Sequence, residues 1–132
     1  MAHGDPRPTR LVFHRASHVL EIEFDTGETF RLPAEYLRVH SPSAEVQGHA
    51  PSQRVLVTGK QQVNVTAIEP VGHYAVLLRF DDGHDTGIYA WDTLYALGKN
   101  QAENWAAYLE AVRAGRWSVS YTHLTLPTIL LV

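Results

Sequence analysis

The sequence predicts a small α+β domain: an antiparallel meandering sheet in two strand-turn-strand-helix pseudo-repeats, followed by a C-terminal helix. Three observations carry this. First, Phe24-Asp25-Thr26-Gly27, followed by Phe30-Arg31-Leu32-Pro33-Ala34-Glu35-Tyr36-Leu37, is echoed by Phe80-Asp81-Asp82-Gly83-His84-Asp85-Thr86-Gly87-Ile88-Tyr89-Ala90-Trp91. Both copies read as strand end, Asp/Gly turn, strand and short helix. Second, Leu20, Ile22 and Phe24 alternate with Glu21 and Glu23, which gives a strand one buried and one wet face. Third, Trp105, Leu109 and Val112 recur at i, i+4, i+7 behind Asn100 and Glu103, a helical stripe with a capping-box start.

Taken in order, residues 1–9 form a loose leader, and Arg10 to Ala16 with His18 to Phe24 form a first strand pair. Asp25-Thr26-Gly27 supplies a turn and Thr29 to Leu32 a third strand. Pro33 suits the first turn of a helix because its missing donor is not needed there, so Ala34 to Val39 is helical until Ser41-Pro42-Ser43 ends it. From Ala44 to Gln62 the signal is weak: Gly48, Pro51 and Gly59 mark loops, and Val55-Leu56-Val57 suggests an edge strand. Val63 to Glu69 alternates again, and Pro70-Val71-Gly72 turns into Tyr74 to Phe80. That strand is apolar on both faces at Val76, Leu77 and Leu78, which argues for a central position. A strand at Ile88-Tyr89 and a helix from Trp91 to Leu97, closed by Gly98, complete the second repeat. Gly115 ends the final helix.

The 132 residues suffice for one domain, and a chain of this size buries roughly two thirds of its unfolded surface. The hydrophobic fraction of 45% and the net charge of −3 are those of an ordinary globular protein, and Lys and Arg form no cluster, so nucleic acid is not an expected ligand. Zero cysteines exclude a disulfide framework, a thiol nucleophile, a cysteine-ligated zinc and a protein-held iron–sulfur cluster of the usual kind. No apolar run approaches the roughly 20 residues of a membrane span, and no basic-then-apolar leader opens the chain. A cytoplasmic location is the default expectation.

Residues 118–132 differ from everything before them in carrying no charge. Val119 to Thr128 is the translation of GTC TCT TAT ACA CAT CTG ACG CTG CCG ACG, which resembles a transposon-end sequencing adapter. This segment is read as non-native read-through and excluded from the fold, leaving residues 10–117 as the domain.

Histidine is the unusual polar resource. His14 and His18 flank a turn and read as surface residues, whereas His40, His49 and His84 lie at helix ends or loops and could hold zinc or iron if the fold gathers them. Asp81, Asp82 and Asp85 surround His84; a carboxylate there can orient an imidazole, but a tight turn with backbone-capping aspartates accounts for the pattern better. Tyr36, Tyr89, Trp91 and Tyr95 recur with the repeats and serve either as core or as anchors for a partner. The candidate contact set is Tyr89, Trp91, Tyr95, Asp82 and Asp85. No nucleophile elbow, phosphate-cradling loop or His-Glu-x-x-His is present, so no catalytic residue is assigned.

Leu32-Pro33-Ala34-Glu35-Tyr36-Leu37-Arg38, Ser41-Pro42-Ser43-Ala44-Glu45-Val46, Ile68-Glu69-Pro70-Val71-Gly72 and Asp82 to Trp91 together resemble the gamma-butyrobetaine hydroxylase-like N-terminal domain family, over about residues 10–115. The family occurs as a stand-alone bacterial domain, ahead of iron- and 2-oxoglutarate-dependent hydroxylases, and behind P-loop ATPases with iron–sulfur clusters. The resemblance implies a non-catalytic accessory module with a protein partner, serving an iron–sulfur or iron/2-oxoglutarate enzyme system. It also implies a zinc site of three cysteines in a C-x-C-x-x-C run and one later histidine. The histidine corresponds to His84, and the cysteine positions correspond to Ser41, Ser43 and Val46, which supply no thiolate. No cofactor is therefore expected at that site. Zinc or iron on His84 with His40 or His49 is the alternative.

Overall fold

The computed structural model describes residues 6–48 and 53–117. Residues 118–132, expected to be read-through, and His49 lie outside the described residues. Among the described residues six strands and four helices follow in order: β1 (Pro8–His14), β2 (Val19–Phe24), β3 (Thr29–Pro33), α1 (Ala34–Val39), α2 (Ala44–Gln47), β4 (Val65–Val71), β5 (Ala75–Phe80), β6 (Gly87–Ala90), α3 (Trp91–Lys99) and α4 (Gln101–Ala114). The meander divides into two three-stranded antiparallel sheets, β1-β2-β3 and β4-β5-β6, one per repeat. The fold is α+β, as the sequence predicts, and β5 is the middle strand of its sheet.

The repeats agree at the level of single hydrogen bonds. In the first, Gly27 N donates to Phe24 O at 2.9 Å and Phe24 N to Glu28 O at 2.8 Å. In the second, Gly83 N donates to Phe80 O at 3.2 Å and Phe80 N to His84 O at 2.9 Å. Both glycines take φ near +90° (92° and 93°), which a side chain would strain. Identical turn chemistry thus sets both registers, and it places His84 where the first repeat has Glu28.

The inner faces meet in one core of Leu20, Ile22, Phe24, Leu32, Leu37, Val65, Val76, Leu78, Phe80 and Leu94 with Tyr36 and Tyr89. Two tyrosines stitch the repeats together. Tyr36 on α1 donates to the Leu97 carbonyl of α3 at 2.6 Å, and Tyr89 on β6 donates to the Leu37 carbonyl of α1 at 2.5 Å. Each satisfies a helix-end carbonyl that would otherwise be buried without a partner.

Several elements depart from the sequence expectation. β1 begins at Pro8, within the expected leader, and β4 runs on to Val71. Ala44–Gln47 is a helical turn capped by Ser43, whose Oγ accepts the Glu45 amide at 3.2 Å, and Gly48 (φ 68°) closes it. Val55–Val57 is no strand: Val55 N donates to Val46 O at 2.7 Å, Tyr108 Oη to Val57 O at 2.8 Å, and the segment straps α2 to α4. Gly98 lies inside α3 rather than ending it; a Cβ there would stand 2.4 Å from the Phe30 ring, so its role is close approach. Asn100 makes no side-chain cap; its Nδ2 turns back to the Ala96 carbonyl at 3.1 Å. The buried face of α4 is Tyr108 and Ala111, while Leu109 and Val112 are 48% and 41% exposed. Polar-tipped side chains decide that rotation: Tyr108 reaches Val57, and Asn104 donates to Tyr36 Oη at 3.0 Å.

Candidate functional site

The chemistry-bearing residues gather where the second turn meets α2. His84 is buried, and each ring nitrogen has a partner: Nε2 lies 2.9 Å from Ser41 Oγ and Nδ1 3.1 Å from Glu45 Oε1. The Glu45 carboxylate can only accept, so Nδ1 carries the proton and Nε2 accepts from the Ser41 hydroxyl. Burial, assisted by the Arg38 charge, lowers the His84 pKa and keeps the imidazole neutral against the opposing pull of Glu45 and Asp82. Ser43 Oγ pairs with Thr86 Oγ1 at 2.7 Å, which adds a second tie between α2 and the β5–β6 turn.

Serine, imidazole and carboxylate stand in the order of a nucleophile relay. Ser41, however, has 0% of its surface exposed. Its Oγ also accepts the Ser43 amide at 3.2 Å, and a Cβ on Gly87 would lie 2.6 Å from it. An acyl group has no approach to that oxygen in this conformation, so the array works as a buried latch holding α2 to the hairpin.

The same positions bear on zinc. Ser41 and Ser43 spend their hydroxyls on His84 and Thr86, and Val46 has no donor atom. Neutral hydroxyls and an alkyl group do not replace three thiolates, so these residues do not fit a zinc centre of the C-x-C-x-x-C plus histidine type. His40 faces elsewhere: its ring packs on Tyr36 at 4.8 Å, with Trp117 at 6.0 Å and Tyr108 at 6.4 Å, and its Nδ1 contacts the Tyr36 carbonyl at 3.1 Å. Burial depresses its pKa to about 4. Among the described residues no group of three or more His, Cys, Asp and Glu is placed to hold a metal ion.

The acidic turn is a structural staple. Asp82 accepts from Lys60 at 2.7 Å, Arg38 Nε at 2.8 Å and the His84 amide at 3.0 Å. Burial opposes its ionisation, but these donors outweigh it and hold the carboxyl well below the usual carboxylate range. Asp81 accepts the Asn64 amide at 3.1 Å, and Asp85 pairs with Arg79 at 3.2 Å. Of the aromatic contact candidates, Tyr89 is 0% exposed and belongs to the core. Tyr95 packs on Phe24 and Phe30 and donates to Glu28, and Trp91 donates its Nε1–H to the His73 carbonyl at 2.8 Å. Half-buried, Trp91 still lines a surface groove of about 350 Å³ with Leu11, Ile68 and Pro70.

A larger groove, of about 640 Å³, opens between the start of α1 and the α3–α4 junction, with Pro33, Glu35, Tyr36, Ala102 and Trp105 in its lining. The sequence reading missed it, because its walls come from segments more than sixty residues apart and Trp105 reads as ordinary core. The partners of His84 were equally hidden, although the family resemblance had already matched Ser41, Ser43 and Val46 to the cysteine positions paired with His84.

Comparison with known proteins agrees with this architecture. A solved protein of unknown function from Acidithiobacillus ferrooxidans, of the DUF971 family, is 41% identical, with a TM-score of 0.61 over 72% of this chain and 98% of that one. Two proteins solved in solution by NMR are 43% and 50% identical, each with a TM-score of 0.73, over 93% and 94% of this chain and 98% and 95% of theirs. No curated protein matches the sequence. The family model described as gamma-butyrobetaine hydroxylase-like, N-terminal, matches residues 11–95, and the chain belongs to that family.

Proposed function

We propose that this domain is a non-catalytic protein-interaction module that serves as an accessory to an iron–sulfur or iron/2-oxoglutarate enzyme. The carrying observation is a contrast in access. Among the described residues, the one array with catalytic order, Ser41–His84–Glu45, is closed around a fully buried serine, while the α1/α3–α4 groove presents Trp105 and exposed Ala102 at the surface. Aromatic-walled grooves of this size suit an anchoring side chain of a partner. The family description, an N-terminal region of gamma-butyrobetaine hydroxylase-like proteins, supports placement beside a redox enzyme.

The test is photo-crosslinking in the native host, with a benzophenone amino acid in place of Ala102 and, as control, in place of Glu23 on β2. A discrete covalent adduct specific to position 102, identified as a redox enzyme or its assembly factor, is expected. The same adduct pattern from both positions, or none, refutes the reading.

A further inference from the structure

Three polar side chains in the α1/α3–α4 groove, those of Glu35, Trp105 and Gln101, have no partner within the described residues. Glu35 is half-buried and makes no hydrogen bond or ion pair there, and burial alone acts on its carboxyl, raising its pKa. The lining cation Lys99 is spent on Glu28 at 2.8 Å, where Tyr95 and Thr26 also donate. Trp105 is the second case. Trp91 and Trp117 donate their indole N–H groups to the carbonyls of His73 and Val55 at 2.8 and 3.2 Å, whereas Trp105 donates to none of the described residues. Its ring is fixed by Tyr108 at 5.1 Å and Tyr36 at 6.3 Å, so the indole is held in place with its donor unspent.

Glu35 sits in the first turn of α1, which favours its charge but supplies no counter-ion, so a cation from outside would still gain a charge-assisted hydrogen bond there, stronger than a neutral one. With Pro33, Tyr36, Ala102 and Trp105 in the lining beside Gln101 and Lys99, an organic cation with an apolar body fits better than a small hydrated ion. A guanidinium satisfies both features, because its planar fork pairs with a carboxylate while its face lies on an aromatic ring. The free indole N–H then meets a carbonyl of the incoming backbone. We propose that the groove receives a segment of a partner protein that presents an arginine beside a large apolar side chain. The guanidinium sits on Glu35 and the apolar group against Trp105 and Ala102. This rests on the interaction-module reading and specifies the chemistry of its partner.

The test is an NMR titration of the full chain with benzamidine, an aromatic ring bearing an amidinium, against neutral benzamide. Saturable shifts at the Glu35 and Ala102 amides and the Trp105 indole N–H are expected, with benzamidine favoured by about tenfold. Glu35→Gln should reduce benzamidine to the affinity of benzamide while leaving the spectrum dispersed. Equal binding of the two probes, shifts mapping elsewhere, or an unchanged preference in Glu35→Gln overturns the proposal. So does concentration-dependent broadening of the same resonances without probe, which would make a second copy the occupant. A specific adduct at position 102 without benzamidine preference would sink the cation chemistry and leave the interaction module standing. Benzamidine preference without any adduct would sink the partner protein itself.

Discussion

His40 should make the domain acid-labile, and the size of the effect follows from its surroundings. The ring is enclosed by Tyr36, Tyr108 and Trp117, with the Arg54 guanidinium 3.6 Å from the centre of the Trp117 ring. Burial lowers the imidazole's pKa first, the hydrogen bond to the Tyr36 carbonyl opposes this, and the Arg54 charge adds to the lowering. The folded value is about 4 against 6.5 for an unperturbed histidine. Between those values the unfolded chain binds more protons than the folded one, so stability rises with pH and is lost as pH falls through 6.5. Linkage for one such group gives a loss of about 2 kcal/mol between about pH 7.5 and about pH 5. His40→Phe keeps a ring among the aromatic side chains and removes the titration, and the Tyr36 carbonyl retains the backbone amide of residue 40 at 3.2 Å. Urea unfolding followed by tryptophan fluorescence at both pH values gives the comparison. The pH-dependent difference in unfolding free energy should shrink by about 2 kcal/mol in the variant, whatever the substitution costs at either pH. Equal pH dependence in the two proteins would refute the claim that His40 is held neutral by burial.

Three further outcomes follow from the packing. Ser41→Cys, Ser43→Cys and Val46→Cys combined should convert the latch around His84 into a centre binding about one zinc per chain, measured by competition with a chromophoric chelator; the native chain should compete far more weakly, and a triple variant no better than native would show that the frame is not preformed. Gly98→Ala drives a methyl group to within 2.4 Å of the Phe30 ring, so it should destabilise by about 1–3 kcal/mol in chemical denaturation, and no measurable loss would mean that Phe30 moves freely. Tyr89→Phe strips the Leu37 carbonyl of its buried donor and should cost about 1–3 kcal/mol with a lowered thermal midpoint; a neutral result would place a water at that carbonyl.

The legible parts of the fold were those in which a few consecutive residues dictate the geometry. Phe-Asp-x-Gly at 24–27 and again at 80–83 fixes a turn whichever core surrounds it, so both repeats could be read before any contact was known. The rotation of α4 could not. Apolar periodicity favours Leu109 and Val112, yet Tyr108 and Asn104 turn inward because Val57 O and Tyr36 Oη await them from fifty or more residues away. Gly98 misleads for a related reason: a glycine after a helical run signals a stop, and only the Phe30 ring reveals that it permits contact. His84 was identifiable as a special position, but its neutral state depends on Ser41, Glu45 and Arg38, which only the tertiary fold assembles.

The divergence of the two repeats locates where function has room to reside. Glu28 and His84 occupy equivalent turn positions, and the carbonyl of each accepts the amide of the preceding phenylalanine. Glu28 points its side chain to Tyr95 and Lys99 on α3, binding the first turn to the second repeat's helix. His84 points instead to Ser41 and Glu45 on the segment following α1. Each turn therefore clamps the helical layer of the other repeat, one by surface charge and one by a buried neutral ring. Residues 40–62 have no counterpart after α3, where the chain passes at once into α4. That asymmetry leaves the start of α1 facing α4 across an open groove, with Glu35 at its edge and in no ion pair with the described residues. Glu35 lies in the first turn of α1, where the free helix amides favour a carboxylate, and it makes no ion pair with the described residues, so its charge is open to a cation from outside.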